Sequence, residues 1–278
     1  MNKPNVLWLS MSPSLKCFDQ RLLARLTKTA TVRRWEYCQT MDEPCCVESV
    51  VAALHEYVSD RASLEKSLDG PAQPIHLAGH GVSGIVALLY AQRYPEHVAS
   101  LTLLSVSARP AVNWQAHYYA LRQLLPCSRE MVLAHMVRLL FGQQPLRFAK
   151  ALAQLLANDL DSSLTLHSLA HHTQITPGQI TTGQTPVPTL VCNGAFDAVT
   201  GSTASYGGDD GSWQSWRCDQ AASCSPVASD ASLPSFRLWN CPKGNHFFHF
   251  YQAALVATEI NAHWQSSLST PAFAQSSR

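Results

Sequence analysis

Short apolar runs alternate with longer helical patterns over the first hundred residues. "NVLWLS" from Asn5 is strand-like, and "FDQRLLARLTKT" from Phe18 carries apolar residues three and four apart. "TVRRWEY" from Thr31 reads as a second strand. "CVESVVAALHEYVSDRASLEKSL" from Cys46 reads as a long amphipathic helix, which "DGPAQP" stops. "IHLAG" from Ile75 is a buried strand, "SGIVALLYAQRY" a helix ending before Pro95, and "VASLTLLSV" from Val98 another buried strand. Strand, helix, strand, helix in short succession predicts an α/β fold, a mostly parallel central sheet with helices on both faces.

Beyond Pro110 the pattern is helical only. "NWQAHYYALRQLLP", "SREMVLAHMVRLLFG" and "PLRFAKALAQLLANDL" are each bounded by Pro, Gly or Ser. The strand pattern returns in "PVPTLVCNGAFDAV", so residues 110–180 interrupt one domain formed by 1–109 and 181–268. A helical insertion at that point predicts a lid over the C-terminal edge of the sheet, where such folds bind ligands. Trp114, Tyr118, Tyr119, Met131, Met136, Phe141 and Phe148 could line a pocket beneath it, although their helical spacing fits plain core as well. Residues 200–232 are rich in Ser, Gly and Asp, with Trp213 and Trp216 as large apolar anchors, and predict a long surface loop. "SFRLWNCP" is a last strand, "FYQAALVATEINAHWQSSL" a closing helix, and 269–278 a tail expected to be disordered.

Composition narrows the class. Of 278 residues 46% are hydrophobic and 14% charged, which suits a large core and excludes wholesale disorder. A net charge of +1 gives no electrostatic reason to expect a nucleic-acid or anionic-membrane partner. No apolar run reaches the roughly 18 residues of a membrane span, and Val6–Leu9 is too short for a signal core, so a cytoplasmic location is expected. Nine scattered cysteines without C-x-x-C read as reduced thiols. Cys218, Cys224, Cys241 and His246 make a zinc set only on paper, because their spacing is loose. No metal or cofactor is expected.

Three separated motifs carry the candidate chemistry. Gly79-His80-Gly81-Val82-Ser83, followed by Gly84, joins a strand to a helix through small residues. "CNGAFDAV" places Asp197 after a late strand, and "PKGNHFFHF" places His246 between the last strand and the last helix, with His249 as a nearby competitor. Their order and the order of the elements resemble the α/β-hydrolase family, particularly its lid-bearing branch of esterases, lipases, C–C hydrolases and haloalkane dehalogenases. The resemblance runs from about Asn5 to Leu268, with 200–232 unmatched. It implies that Asp197 orients His246 as an acid–base pair, and that the amides of Met11 and Val82 donate to an oxyanion.

The same resemblance puts the nucleophile position at Gly81, which has no side chain to attack with. Ser83 lies two residues beyond that apex, rotated about 100° per residue away from it, and reads as a helix-packing or capping residue rather than a substitute nucleophile. The first-strand loop, Ser10-Met11-Ser12-Pro13, also lacks the His-Gly of many family members. The expectation is therefore an α/β-hydrolase-fold protein without ordinary serine-hydrolase activity, binding a small apolar or acyl ligand or a protein partner. Two alternatives stay open: a hydrolase with a relocated nucleophile, and a His–Asp proton-transfer enzyme of lyase or cofactor-free oxygenase type.

Overall fold

A computed structural model describes residues 3–12, 14–37, 47–69, 73–107, 113–161, 187–200 and 236–269. The loop 200–232 and the tail 269–278 fall almost entirely outside these residues, as does much of the second half of the predicted lid.

Six strands form one sheet: β1 (Asn5–Ser10), β2 (Thr31–Glu36), β3 (Ile75–His80), β4 (Val98–Leu104), β5 (Thr189–Gly194) and β6 (Phe236–Cys241). Their order is β2-β1-β3-β4-β5-β6, and every neighbouring pair is parallel. Parallel strands are covered on both faces, which is why β1, β3, β4 and β5 read as continuous apolar runs. The pleat sorts each run to two sides. Leu7 and Leu9 face a cluster containing α2 (Val47–Asp69) and α3 (Val82–Arg93), whereas Val6 and Trp8 face α1 (Gln20–Leu26) and residues of the closing helix.

Three helices follow β4: α4 (Trp114–Leu124), α5 (Arg129–Phe141) and α6 (Leu146–Asp161). Asn113 and Ser128 cap the first two, their side chains accepting from the amides of Ala116 and Met131. The helices share a third core with Leu15, Phe18, Val199 and Phe247, which fastens them to the loops at the C-terminal edge of the sheet. Chain-terminal elements are α7 (Phe248–Tyr251) and α8 (Ala253–Ser269), one predicted helix broken at Gln252. None of the helices among the described residues is long and apolar enough to cross a membrane.

Candidate active site

The sheet gathers the predicted segments at one edge. Met11 follows β1, Gly81 follows β3, Asp197 follows β5 and His246 follows β6, each just beyond the C-terminal end of its strand. The β3–α3 junction is tight. A Cβ on Gly79 would lie 2.6 Å from the carbonyl carbon of Ser83, and one on Gly84 would run into the Val106 side chain, so small residues are needed where strand and helix meet. Gly81 has φ +55° and ψ −125°, a conformation that costs a residue with a side chain about 1–3 kcal/mol. Its N–H donates to Leu104 and its carbonyl accepts from Ile85, which fixes the turn. A Cβ on Gly81 would nevertheless meet nothing within 4 Å among the described residues.

Asp197 and His246 do meet. Both are buried, and His246 Nδ1 lies 3.0 and 3.2 Å from the two carboxylate oxygens. Asp197 Oδ1 also accepts from the amides of Val199 and Thr200 at 3.0 and 3.3 Å. Burial pushes the Asp197 carboxyl up, but the charge and hydrogen bond of His246 and the two amides outweigh it and hold the group below the usual carboxylate range. A carboxylate at Nδ1 makes that nitrogen the donor and leaves the lone pair on Nε2. Nε2 is shut off from solvent and has no hydrogen-bond partner among the described residues. The two loops carrying the pair are tied together by Phe196 N–H to Gly244 O, 2.8 Å, and Ala195 N–H to Cys241 O, 3.0 Å.

A small cleft open to solvent lies against this edge, lined by Ser10, Ser12, Gly81, Ser83 and Gln115 among polar or small residues, and by Trp114 and Phe247 among apolar ones. Val82, Asp19 and His80 also line it, whereas His246 does not. Of the aromatic and Met residues expected over a pocket, only Trp114 reaches the cleft. Tyr118, Met136 and Phe141 are buried in the helical core, Tyr119 packs against it, and Met131 and Phe148 are exposed to 62% and 39%.

The oxyanion-hole expectation meets a specific complication. The amide of Met11 donates to Ser83 Oγ at 3.1 Å, so one of its two expected donors is already engaged inside the protein. The N-cap of α3 is Gly81, and Ser83 lies inside the first turn of the helix. It is a buried link between the first-strand loop and the first turn of α3. Neither His246 nor Asp197 is a hydrogen-bond partner of Ser83 among the described residues.

Two residues escaped the sequence patterns. Asp19 accepts from Trp8 Nε1 at 2.9 Å and from His249 Nε2 at 3.2 Å, making a second buried acid–histidine pair beside the first. His249, the competitor of His246 in the sequence, is fully buried and bonded to Asp19. His80 stands between the pairs, its ring 4.9 Å from His246 and 4.5 Å from His249. Its Nε2 donates to the His246 carbonyl at 3.1 Å, an oxygen that also accepts from Ser105 Oγ at 2.6 Å. Burial, with the charges of His249 and His246 beside it, holds the His80 imidazole far below its ordinary range and so neutral. His80 was next to Gly81 in the sequence, a signal of sorts. Asp19 had none.

No three metal-ligating side chains converge among the described residues. Of the paper zinc set, Cys218 and Cys224 lie outside the described residues, Cys241 is a buried free thiol and His246 is committed to Asp197.

No protein-family model matches the chain. Two cyanobacterial proteins are similar over 261 residues: the uncharacterised protein alr2406 of Nostoc sp. and the uncharacterised protein sll0249 of Synechocystis sp. Each is 36% identical over 94% of this chain and 90% of its own length. Among solved structures, a serine hydrolase of Cycloclasticus zankles superposes with a TM-score of 0.62 at 12% identity, covering 97% of this chain and 92% of that one. A thermophilic esterase of Thermogutta terrifontis gives 0.60 at 17% identity, over 96% and 91%. MenH of S. aureus gives 0.59 at 16%, over 97% and 96%. At such identities the likeness is one of fold. The chain belongs to the same family as the two cyanobacterial proteins, and its fold is that of the α/β hydrolases.

Proposed function

We propose that this protein is a pseudoenzyme with respect to serine chemistry, and that it binds a small ligand with an acyl or other carbonyl-bearing group in the cleft beside Gly81. The helices between Trp114 and Asp161 serve as its lid. One observation carries the reading: the strained turn between β3 and α3 has room for a side chain and holds glycine. Without a hydroxyl there, no acyl-enzyme can form, however well His246 is oriented. The mixed lining of the cleft, with Trp114 and Phe247 beside Ser10, Ser12 and Gln115, suits a ligand with an apolar body and a polar end better than a purely apolar one. Ser83 as a relocated nucleophile finds no support, since its oxygen is engaged by the Met11 amide and not by a histidine.

The test uses a fluorophosphonate probe and p-nitrophenyl butyrate on the full chain. The wild type is expected to be neither labelled nor active. Labelling of the wild type that disappears in Ser83→Ala would overturn the reading.

The Asp197–His246 pair favours a second reading, proton transfer by His246 without a covalent step. It predicts a turnover in the wild type that His246→Ala abolishes. The burial of Nε2 away from the cleft lining makes it the lesser of the two.

A further inference from the structure

We propose that Ser83 is a ligand-binding residue: its hydroxyl, held from behind by the Met11 amide, donates to the acceptor oxygen of a carboxylate or polarised carbonyl in the cleft. The inference rests on the reading of the cleft as a ligand site. It gives Ser83 the donor role that the family resemblance assigned to Met11.

A serine hydroxyl has one proton and two lone pairs. The Met11 N–H takes one lone pair at 3.1 Å, across 72 residues of sequence. No described residue accepts the Ser83 proton, and the N-cap position of the helix is held by Gly81. Ser83 is 7% exposed and lines the cleft. Accepting from the amide also polarises the O–H, which strengthens its own donation.

A second donor stands next to it. The first intrahelical bond of α3 runs from Ile85 N–H to Gly81 O, so the N–H of Val82 has no partner four residues back. Val82 lines the same cleft. Two adjacent donors, one O–H and one N–H, suit an oxygen carrying negative charge or a carbonyl dipole. The same pair offers nothing to a ligand end that only donates.

The experiment titrates sodium n-butyrate into full-length protein carrying 15N-labelled Met and Val, read at the Met11 and Val82 amides. Saturable shifts are expected at both amides in the wild type. Ser83→Ala is expected to weaken binding about tenfold, and Ser83→Thr, which keeps the hydroxyl, to bind within about threefold of the wild type. n-Butylammonium, which has no acceptor oxygen, should shift neither amide. Equal or tighter butyrate binding by Ser83→Ala would overturn the proposal, because it would mean that Ser83 blocks an oxygen site served by the Met11 amide. Absence of any shift in the wild type would overturn it too. Failure of the non-hydrolytic reading registers elsewhere, as fluorophosphonate labelling of the wild type, so the two failures are told apart.

Discussion

Gly81 shows how one residue can carry a backbone conformation without the chemistry that goes with it. Its φ of +55° is the strained arrangement that presents a side chain at the end of β3, and glycine adopts it at no steric cost. Asp197 works differently, through hydrogen bonds. It binds one histidine and two amides in a site with 0% exposure, so Asp197→Ala is expected to cost about 3 kcal/mol. Urea unfolding at pH 7.5 measures this, and a loss under about 1 kcal/mol would mean that the pair contributes little to the fold. These positions were legible in the sequence because each sits in a short motif with its own backbone requirement. Asp19 was not, since nothing in "KCFDQ" announces a partner 230 residues away.

At the scale of elements, the close approach of α3 to the sheet decides the shape of the site. Gly84 lies where a Cβ would meet Val106, the residue two beyond the end of β4. Gly84→Ala is therefore expected to destabilise by about 1–3 kcal/mol. Adding Val106→Ala removes the nearest obstruction and leaves the Gly79 carbonyl oxygen at 2.9 Å, so the double variant should lose less than the two single losses added together while staying below the wild type. Thermal unfolding of the four proteins checks this, and strict additivity would show that the contact is not what restricts the position. The helices after β4 were legible from their periodicity and from the Pro, Gly and Ser that bound them. Which of their side chains reach the cleft was not, because helical spacing selects a buried stripe and does not say what it is buried against.

Across the whole molecule, buried histidines set the response to acid. His76 on β3 and His263 on α8 lie against β4, bonded to Ser100 Oγ and the Leu101 carbonyl, and burial lowers both imidazoles to about 4. A group whose folded pKa is depressed contributes stability that is present above its unfolded pKa and lost as pH falls towards the folded one. A shift from 6.5 to about 4 corresponds to at most on the order of 3 kcal/mol for each histidine. His80 acts in the same direction. Asp159 opposes them: burial raises its carboxyl to about 6 beside Gln115 and Ser12, so it regains stability as pH falls through that value. The histidines outnumber it, and the urea midpoint is expected to fall from pH 7.5 to 6.0 and again to 5.0. A midpoint that stayed level or rose would refute this balance.

The sequence by itself determined the α/β architecture, the positions of its strands and helices, and the three segments that converge at the sheet edge. Each depends on local physics: apolar periodicity, glycine where strand and helix approach closely, and a loop after each strand. Tertiary structure alone decided what those segments touch. The engagement of the Met11 amide by Ser83, the placing of His80 between two acid–histidine pairs, and the withdrawal of His246 from the cleft lining all depend on segments far apart in the chain that the sheet brings side by side. Such contacts follow from strand order and from the depth to which each loop is packed, and neither is written in the spacing of residues along the chain.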